Sequence, residues 1–544
     1  MNCTKLLAVS LALVFLMTAC HQKPTEKTPG TPAVQIPAAP AYDDATQIVL
    51  DDGGITVDGA AIGTDTTAAV YAANDIVYYE VGKDFTYGEG SEKDAHTSEE
   101  AAAHTVVHIT KPGTYRLSGR LSLGQIAVDL GGDAKKDPNA VVTLVLDSVD
   151  ITCEVAPAVI FYNVYECGND DVKKASMYVD TSSAGANVII ADGTVNTVNG
   201  SYVEKIYKPD SVVLSDDKTE VKDADKLHKY DGAFYSRRSM NIFGGKENTG
   251  ILNIKAENEG LDREMHLTIN GGDIRIESGN DGINTNEDGI SVTSIHGGRL
   301  SIKVTGETGE GDGIDSNGWL VINGGTVLAE ACSNSADAGI DSDMGIHINA
   351  GTVIATGYML DRIEDGGQNY AVFNFAQKQT GSGTVTMKDQ DGNDILEAKP
   401  ENAYSILIFS SPDLKAGTYT LWSNENQLAG GFGGIMGSPG MEPGGMDRPE
   451  APENMQPPVD GGQPAEGFMS PEDGVPTEGF IPPQGGTPPE GDNPSEGNNR
   501  PEMSDNNRPG NAGWNHMGAQ AMTADFVIQN GGNMFSVISQ NGEP

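Results

Sequence analysis

Four short phrases carry the side chains best placed to do chemistry: Gly260-Leu261-Asp262, Gly282-Ile283-Asn284, Gly313-Ile314-Asp315 and Gly339-Ile340-Asp341. Each sets an oxygen-bearing residue directly after an apolar one. In a strand whose apolar residue points inward, alternation turns Asp262, Asn284, Asp315 and Asp341 outward, with Asn286, Asn317 and Asp343 on the same face. Carboxylates stacked ~5 Å apart repel by roughly 3 kcal/mol at an effective dielectric near 20, so a cation between them is favoured. Calcium suits such a set because it accepts roughly six to eight oxygens in loose geometry. Asn284-Thr285-Asn286-Glu287-Asp288-Gly289 adds alternate oxygen donors and then glycine, as in the first half of a calcium loop, although Ile295 stands where an EF-hand has its closing Glu. The expected calcium ligands are therefore Asp262, Asn284, Asn286, Asp288, Asp315, Asn317, Asp341 and Asp343. The same ladder needs no metal if its side chains bond neighbouring backbone at turns, and the sequence leaves both readings open.

The elements that must position these residues repeat. Small residues close apolar runs at Phe243-Gly244-Gly245, Asn270-Gly271-Gly272, His296-Gly297-Gly298, Asn323-Gly324-Gly325 and Asn349-Ala350-Gly351, every 26 to 27 residues. Around them the period is two: Leu267, Ile269, Ile274 and Ile276 face one way, Thr268, Asp273, Arg275 and Glu277 the other. A unit with short strands, glycine corners and no room for a crossover helix buries its apolar face only by stacking. A parallel β-helix is expected, with Leu261, Ile283, Ile314 and Ile340 as one internal ladder. Arg299 is expected beside Asp273 across rungs.

Composition agrees with tight corners: 69 glycines and only 6% aromatic residues in 544. With 78 acidic against 34 basic residues the net charge is -44, which opposes nucleic-acid binding and favours cations as partners. Lys5, the apolar run Leu6 to Met17 and Leu16-Met17-Thr18-Ala19-Cys20 read as an export signal too short to span a membrane. Its last five residues resemble a bacterial lipobox, which makes Cys20 the lipidation site, residues 1–20 the signal and 21–44 a flexible tether. The expected location is extracellular, lipid-anchored to the cell surface through Cys20 alone. Cys153 and Cys167 either pair or, with Cys332, serve as small buried hydrophobes. Residues 83–103, ending in Glu99-Glu100-Ala101-Ala102-Ala103, form an acidic excursion with one helical turn, and residues 204–230 a second excursion. Asp389 to Asp394 reads as a hairpin turn. Residues 429–523, dominated by Gly, Pro, Met, Glu and Asn, cannot bury enough apolar surface to offset ordering and are expected to be a disordered insert before a closing strand pair at 524–544.

Ile109-Thr110-Lys111-Pro112-Gly113-Thr114-Tyr115-Arg116-Leu117-Ser118-Gly119, then Gly124-Gln125-Ile126, Val142 to Leu146 with Asp150-Ile151-Thr152, Asp192 to Thr197, and Asp231-Gly232-Ala233-Phe234-Tyr235-Ser236 occur in that order. Over residues 45 to 425 the chain resembles the secreted bacterial carbohydrate-binding β-helix family, similar in architecture to family 9 pectate lyases. The resemblance implies a right-handed fold, calcium on polar corners, and binding of cell-wall polysaccharide such as cellulose or polygalacturonate without cleavage.

A pectate lyase would need a Lys or Arg base beside calcium. Arg263, Arg275, Arg299 and Lys303 read as outward basic residues, none in a recognisable catalytic motif, and salt bridging explains Arg263 and Arg299. With so many acids, carboxylate pairs at glycosidase spacing arise by chance and carry no signal. His104 and His108 flank Val106 and Val107 without a third ligand and read as surface histidines. Trp319 is expected outward beside Asp315 and Asn317, either as a stacking platform for a sugar face or as a cover for the turn. The expected carbohydrate-binding residues are Trp319, Arg275, Arg299 and Lys303.

The full expectation is an all-β, right-handed single-stranded parallel β-helix over residues 45–428, with irregular N-terminal coils and C-terminal hairpins. It would act as a calcium-dependent, non-catalytic and monomeric binder of pectin-like or cellulose-like polysaccharide. A calcium-dependent lyase and a structural stalk stand as alternatives.

Overall fold

The computed structural model describes residues 37–227, 230–436 and 525–538. The signal, Cys20, most of the tether and most of the 429–523 insert lie outside the described residues.

Short strands ending at glycine pairs stack on one another in register. One eight-stranded sheet runs in the order Ile314–Ser316, Ile283–Thr285, Glu259–Arg263, Gly232–Ser236, Val159–Asn163, Gly124–Asp129, Thr105–Ile109, Val70–Ala73. All its pairings are parallel except the last. Leu261 registers with Ile283, and Ile283 with Ile314, so that part of the expected ladder is present. Ile340 continues it outside any strand: the Ile314 amide donates to Gly339 and the Asp341 amide to Ile314. On the facing wall Asp273 registers with Arg299, as expected.

The facing wall is a 19-stranded sheet. Its strands from Gly113–Leu121 to Gly345–Gly357 pair in parallel, but Gly345–Gly357 then pairs antiparallel with Tyr404–Ser410, and Thr46–Leu50 with Thr56–Val57. Long strands also serve two neighbours each: Val142–Cys153 pairs with Ala186–Ile190 and, further along, with Val195–Gly200. A separate five-stranded sheet contains the antiparallel hairpin Val385–Asp389 with Asp394–Ala398, whose turn is the one expected at Asp389 to Asp394. Strands Asp525–Ile528 and Gly532–Ile538 join different sheets. These features correct the expectation of a single-stranded right-handed parallel β-helix. The protein is all-β, but the parallel strands of the large mixed sheet close with the other sheets into a barrel. The repeat specifies which residue lies above which; it does not specify how the walls close.

The enclosed core is one apolar cluster to which Leu261, Ile283 and Ile314 contribute from one wall and Ile274, Ile276, Leu300 and Ile302 from the other. Close approach both to the facing wall, at Ile276 and Ile302, and to the next turn of the same wall accounts for the glycine before Leu261 and Ile283. A Cβ on Gly260 would meet the Gly282 carbonyl oxygen at 2.5 Å, and one on Gly282 would meet the Gly313 carbonyl oxygen at 2.6 Å.

Both excursions are built structures. The first holds the helix Ser98–Ala102, fixed by a reciprocal capping box between Thr97 and Glu100. It is tied to the second where the Glu89 amide donates to Lys205 at 2.9 Å and the Tyr207 amide to Tyr87 at 2.8 Å. Cys153, Cys167 and Cys332 are free thiols, so the possible bridge between the first two is not formed.

Candidate functional site: two carboxylate columns

The strands Glu259–Arg263, Ile283–Thr285 and Ile314–Ser316, with the residues just before them and the next turn at Asp341, carry two columns of oxygen donors. The expected column follows the ladder: Asp262, Asn284 and Asp315 are in register, with Asp341 next. A second column, missed by the sequence reading, precedes it at Glu259, Asp281 and Asp312. Its signal was present, since each of these acids stands two residues before Leu261, Ile283 or Ile314 with glycine between.

The second column is stitched by its own carboxylates. Asp281 Oδ1 accepts the Asp312 backbone N–H at 2.7 Å, and Asp312 Oδ1 accepts the Ala338 backbone N–H at 2.5 Å. Asn284 Nδ2 donates to Glu259 Oε1 at 2.9 Å, while Glu259 Oε2 and Asn284 Oδ1 are buried with no hydrogen-bond partner. Burial pushes the Glu259, Asp262, Asp281 and Asp312 carboxyls well above the usual carboxylate range. Neighbouring acids add to it: Asp262 and Asp231 on Glu259, Asp231 and Glu264 on Asp262, Asp315 on Asp281, and Asp281, Asp341 and Asp315 on Asp312.

Asp312, Asp315 and Asp341 each offer a carboxylate oxygen, and the three lie within 4.8 Å of one another. Two oxygens that both ligate calcium at about 2.4 Å lie at most about 4.8 Å apart, so this trio fits one ion. It unites two expected ligands, Asp315 and Asp341, with the missed Asp312.

The other expected ligands are placed differently. Asp262 is wholly buried, which corrects its outward assignment. Its Oδ2 accepts the Asp231 amide at 3.1 Å and its Oδ1 accepts Asn286 Nδ2 at 2.6 Å. Arg263 is also wholly buried, with Nε, Nη1 and Nη2 unpartnered, instead of outward and salt-bridged. Burial lowers its guanidinium to about 10 while Asp262 and Glu259 pull it back up. A fixed cation thus occupies the rung where Thr285 and Ser316 stand in the following rungs. The Glu259–Asp262 rung therefore has an internal counter-charge, and the Asp312–Asp315–Asp341 corner is the better metal site. Asn284 is buried, Asn286 and Asn317 are half-buried, and Asp288 and Asp343 are exposed. Asn317 Nδ2 donates to Asp288 Oδ1 at 2.8 Å and to the Asn286 carbonyl at 3.1 Å, the metal-free turn bonding left open above.

The expected sugar contacts do not converge. Arg275, Arg299 and Lys303 lie on the large sheet, not with the carboxylate columns. Arg275 pairs with Asp273 at 2.6 Å and Lys303 with Glu401 at 2.5 Å. Trp319 is half-buried and opens the strand Trp319–Glu330 between Val292 and Gly345. His104 is not a surface residue, and His108 is half-buried. His104 is 2% exposed and its Nε2 accepts the Glu154 amide, while His108 stacks on Tyr71 and bonds Asp75 at 2.8 Å.

Over residues 103–399, just over half its length, the sequence matches the family described as carbohydrate-binding domain-containing protein, and the chain belongs to that family. A carbohydrate-binding domain-containing protein of Acetivibrio thermocellus is 31% identical over 173 residues, 32% of this chain and 45% of that relative. The chain thus matches less than half the length of this relative. No solved structure matches it.

Proposed function

We propose that this protein binds polysaccharide at the outer surface of a bacterial cell, held there by lipid on Cys20, in a calcium-dependent manner and without cleaving it. Family membership supports the carbohydrate ligand, and the signal and lipobox pattern support the location. The observation that carries calcium dependence is the grouping of Asp312, Asp315 and Asp341 inside the family-matched region. A bound divalent ion there would neutralise the Asp312 carboxylate, which burial and the nearby acids otherwise disfavour as an anion, together with the Asp315 and Asp341 carboxylates beside it. Binding without cleavage is supported by the placement of the four candidate bases: Arg275, Arg299 and Lys303 lie on the large sheet, and Arg263, in the sheet of Asp315, is wholly buried.

Calorimetry with calcium alone is expected to show a saturable site in the full chain that Asp315→Asn with Asp341→Asn abolishes. Retention on insoluble polysaccharide should fall with chelator and in the same variant. An unchanged calcium isotherm in the double variant defeats the metal assignment, and accumulation of an unsaturated uronide product defeats the non-catalytic assignment.

A further inference from the structure

Between the two excursions and the turns that carry the carboxylate columns lies a cleft of about 410 Å³, within the roughly 300–1,000 Å³ typical of small-ligand sites. No residue expected from the sequence to touch sugar lines it. We propose that this cleft is a saccharide subsite and that it takes a neutral, hydroxyl-rich pyranose chain in preference to a uronate. The inference rests on the carbohydrate-binding reading and adds to it a place and a ligand class.

The walls are preformed. Gly88 lies so close to the Lys205 carbonyl, and Gly90 to the Tyr79 ring and Glu204, that no Cβ fits at either position, and the inter-excursion hydrogen bonds hold the two segments together. The floor presents polar groups at the period of the stack. Asn258 and Asn280 hold equivalent positions in successive turns, each just before the acid of the second column, and the Asn258 carbonyl accepts both the Gly279 and Asn280 amides. Stacked strands lie roughly 4.8 Å apart, about the length of one pyranose ring, so adjacent amides meet adjacent sugars. Glu259 also lines the cleft, and although 94% buried it has a carboxyl oxygen, Oε2, without a partner. A sugar hydroxyl supplies the hydrogen bond that this oxygen lacks. Tyr202 is half-buried at the wall, its hydroxyl donating to Asp94 Oδ1 at 2.5 Å, so its ring orientation is fixed.

Charge selects the ligand class. Glu89, Asp94, Glu204 and Asp231 line the cleft against Lys93 and Lys205, and Lys205 already lies 3.8 Å from Glu89. A uronate would add one like charge per ring, whereas neutral hydroxyls donate to carboxylates and amides alike.

The test is calorimetry on the full chain with a soluble neutral β-glucan oligosaccharide, an oligogalacturonate and calcium alone. It uses wild type, Tyr202→Ala, Asn280→Ala and Glu259→Gln, with circular dichroism melts to confirm folding. The expected result is neutral-glucan binding that weakens at least tenfold in Tyr202→Ala and in the half-exposed Asn280→Ala, with the oligogalacturonate bound more weakly by wild type. Glycan binding untouched in every folded cleft variant overturns the cleft and leaves the carbohydrate reading standing; absence of any glycan binding removes both. Preferential, variant-sensitive uronate binding overturns the neutral class, and a calcium isotherm lost in Glu259→Gln makes the cleft a cation site instead.

Discussion

The side chain of Asp281 accepts the backbone N–H of Asp312 at 2.7 Å, so the acid of one turn anchors the start of the next. The bond favours the charged carboxylate, yet burial and the charge of Asp315 outweigh it and hold the Asp281 carboxyl well above its ordinary range. Asp312 repeats the arrangement with Ala338. Fold and candidate metal site therefore share the Asp312 carboxylate.

Stability should consequently fall with rising pH when calcium is removed. Unfolded, Asp281 and Asp312 ionise near 3.8, and folded they keep their protons to higher pH because burial disfavours the anion. Between those limits the folded state binds more protons, so its advantage is full below the unfolded value and is lost as pH rises through the folded one. Thermal melts in chelator, run upward in pH from the unfolded value near 3.8, should show a decreasing Tm as the folded carboxyls give up their protons. A Tm that rises over this range would contradict the assignment.

The Arg263 guanidinium makes no hydrogen bond, yet its charge favours the anions of Glu259 and Asp262, so its loss should destabilise the protein at neutral pH by leaving those buried carboxyls without a counter-charge. In Arg263→Met the loss should shrink as pH falls and the two carboxyls take up protons. Adding Glu259→Gln and Asp262→Asn should restore part of the stability. Urea unfolding at two pH values checks this; equal losses at both would show that Arg263 matters only by its volume.

The basic residues of the large sheet should matter little. Arg275 is about half exposed in its pair with Asp273, and the Glu401 partner of Lys303 is 66% exposed, so each bridge contributes about 1 kcal/mol or less. A triple Arg275→Ala, Arg299→Ala, Lys303→Ala variant should keep both its Tm within a few degrees and its glycan retention. Loss of retention in a folded variant would return the binding face to this sheet.

The register of the stack was legible because period-two apolar residues and glycine corners recur at fixed spacing, which places Leu261 above Ile283 and Asp273 above Arg299. The inward parity of Arg263 was in the same alternation that points Leu261 inward, but Arg263 was expected outward because a basic residue is seldom buried. The burial of Asp262 was not legible, because what approaches it is distant in sequence, with the Asp231 amide on one oxygen and Asn286 on the other. Closure of the walls escaped for the same reason. Antiparallel additions such as Tyr404–Ser410 belong to no repeat, so nothing in the period announces them.

Gly282 offers the sharpest test that the two walls touch where the ladder requires. A methyl group there would collide with Ile302 Cγ2 from the large sheet and lie 2.6 Å from the Gly313 carbonyl of the next turn. Neither can retreat easily: Ile302 is 3% exposed in the core, and Gly313 donates its amide to Ala338. Gly282→Ala should therefore destabilise by at least the ~1–3 kcal/mol typical of overpacking. It should also weaken calcium binding, because displacing Gly313 moves Asp312 and Asp315 on either side of it. Gly309→Ala, where a Cβ meets nothing within 4 Å, is the paired control; its φ of 107° carries local backbone strain but no clash between walls. Chemical denaturation and calcium calorimetry on both variants decide the matter, and a Gly282→Ala protein as stable as wild type would mean that the walls stand further apart than described.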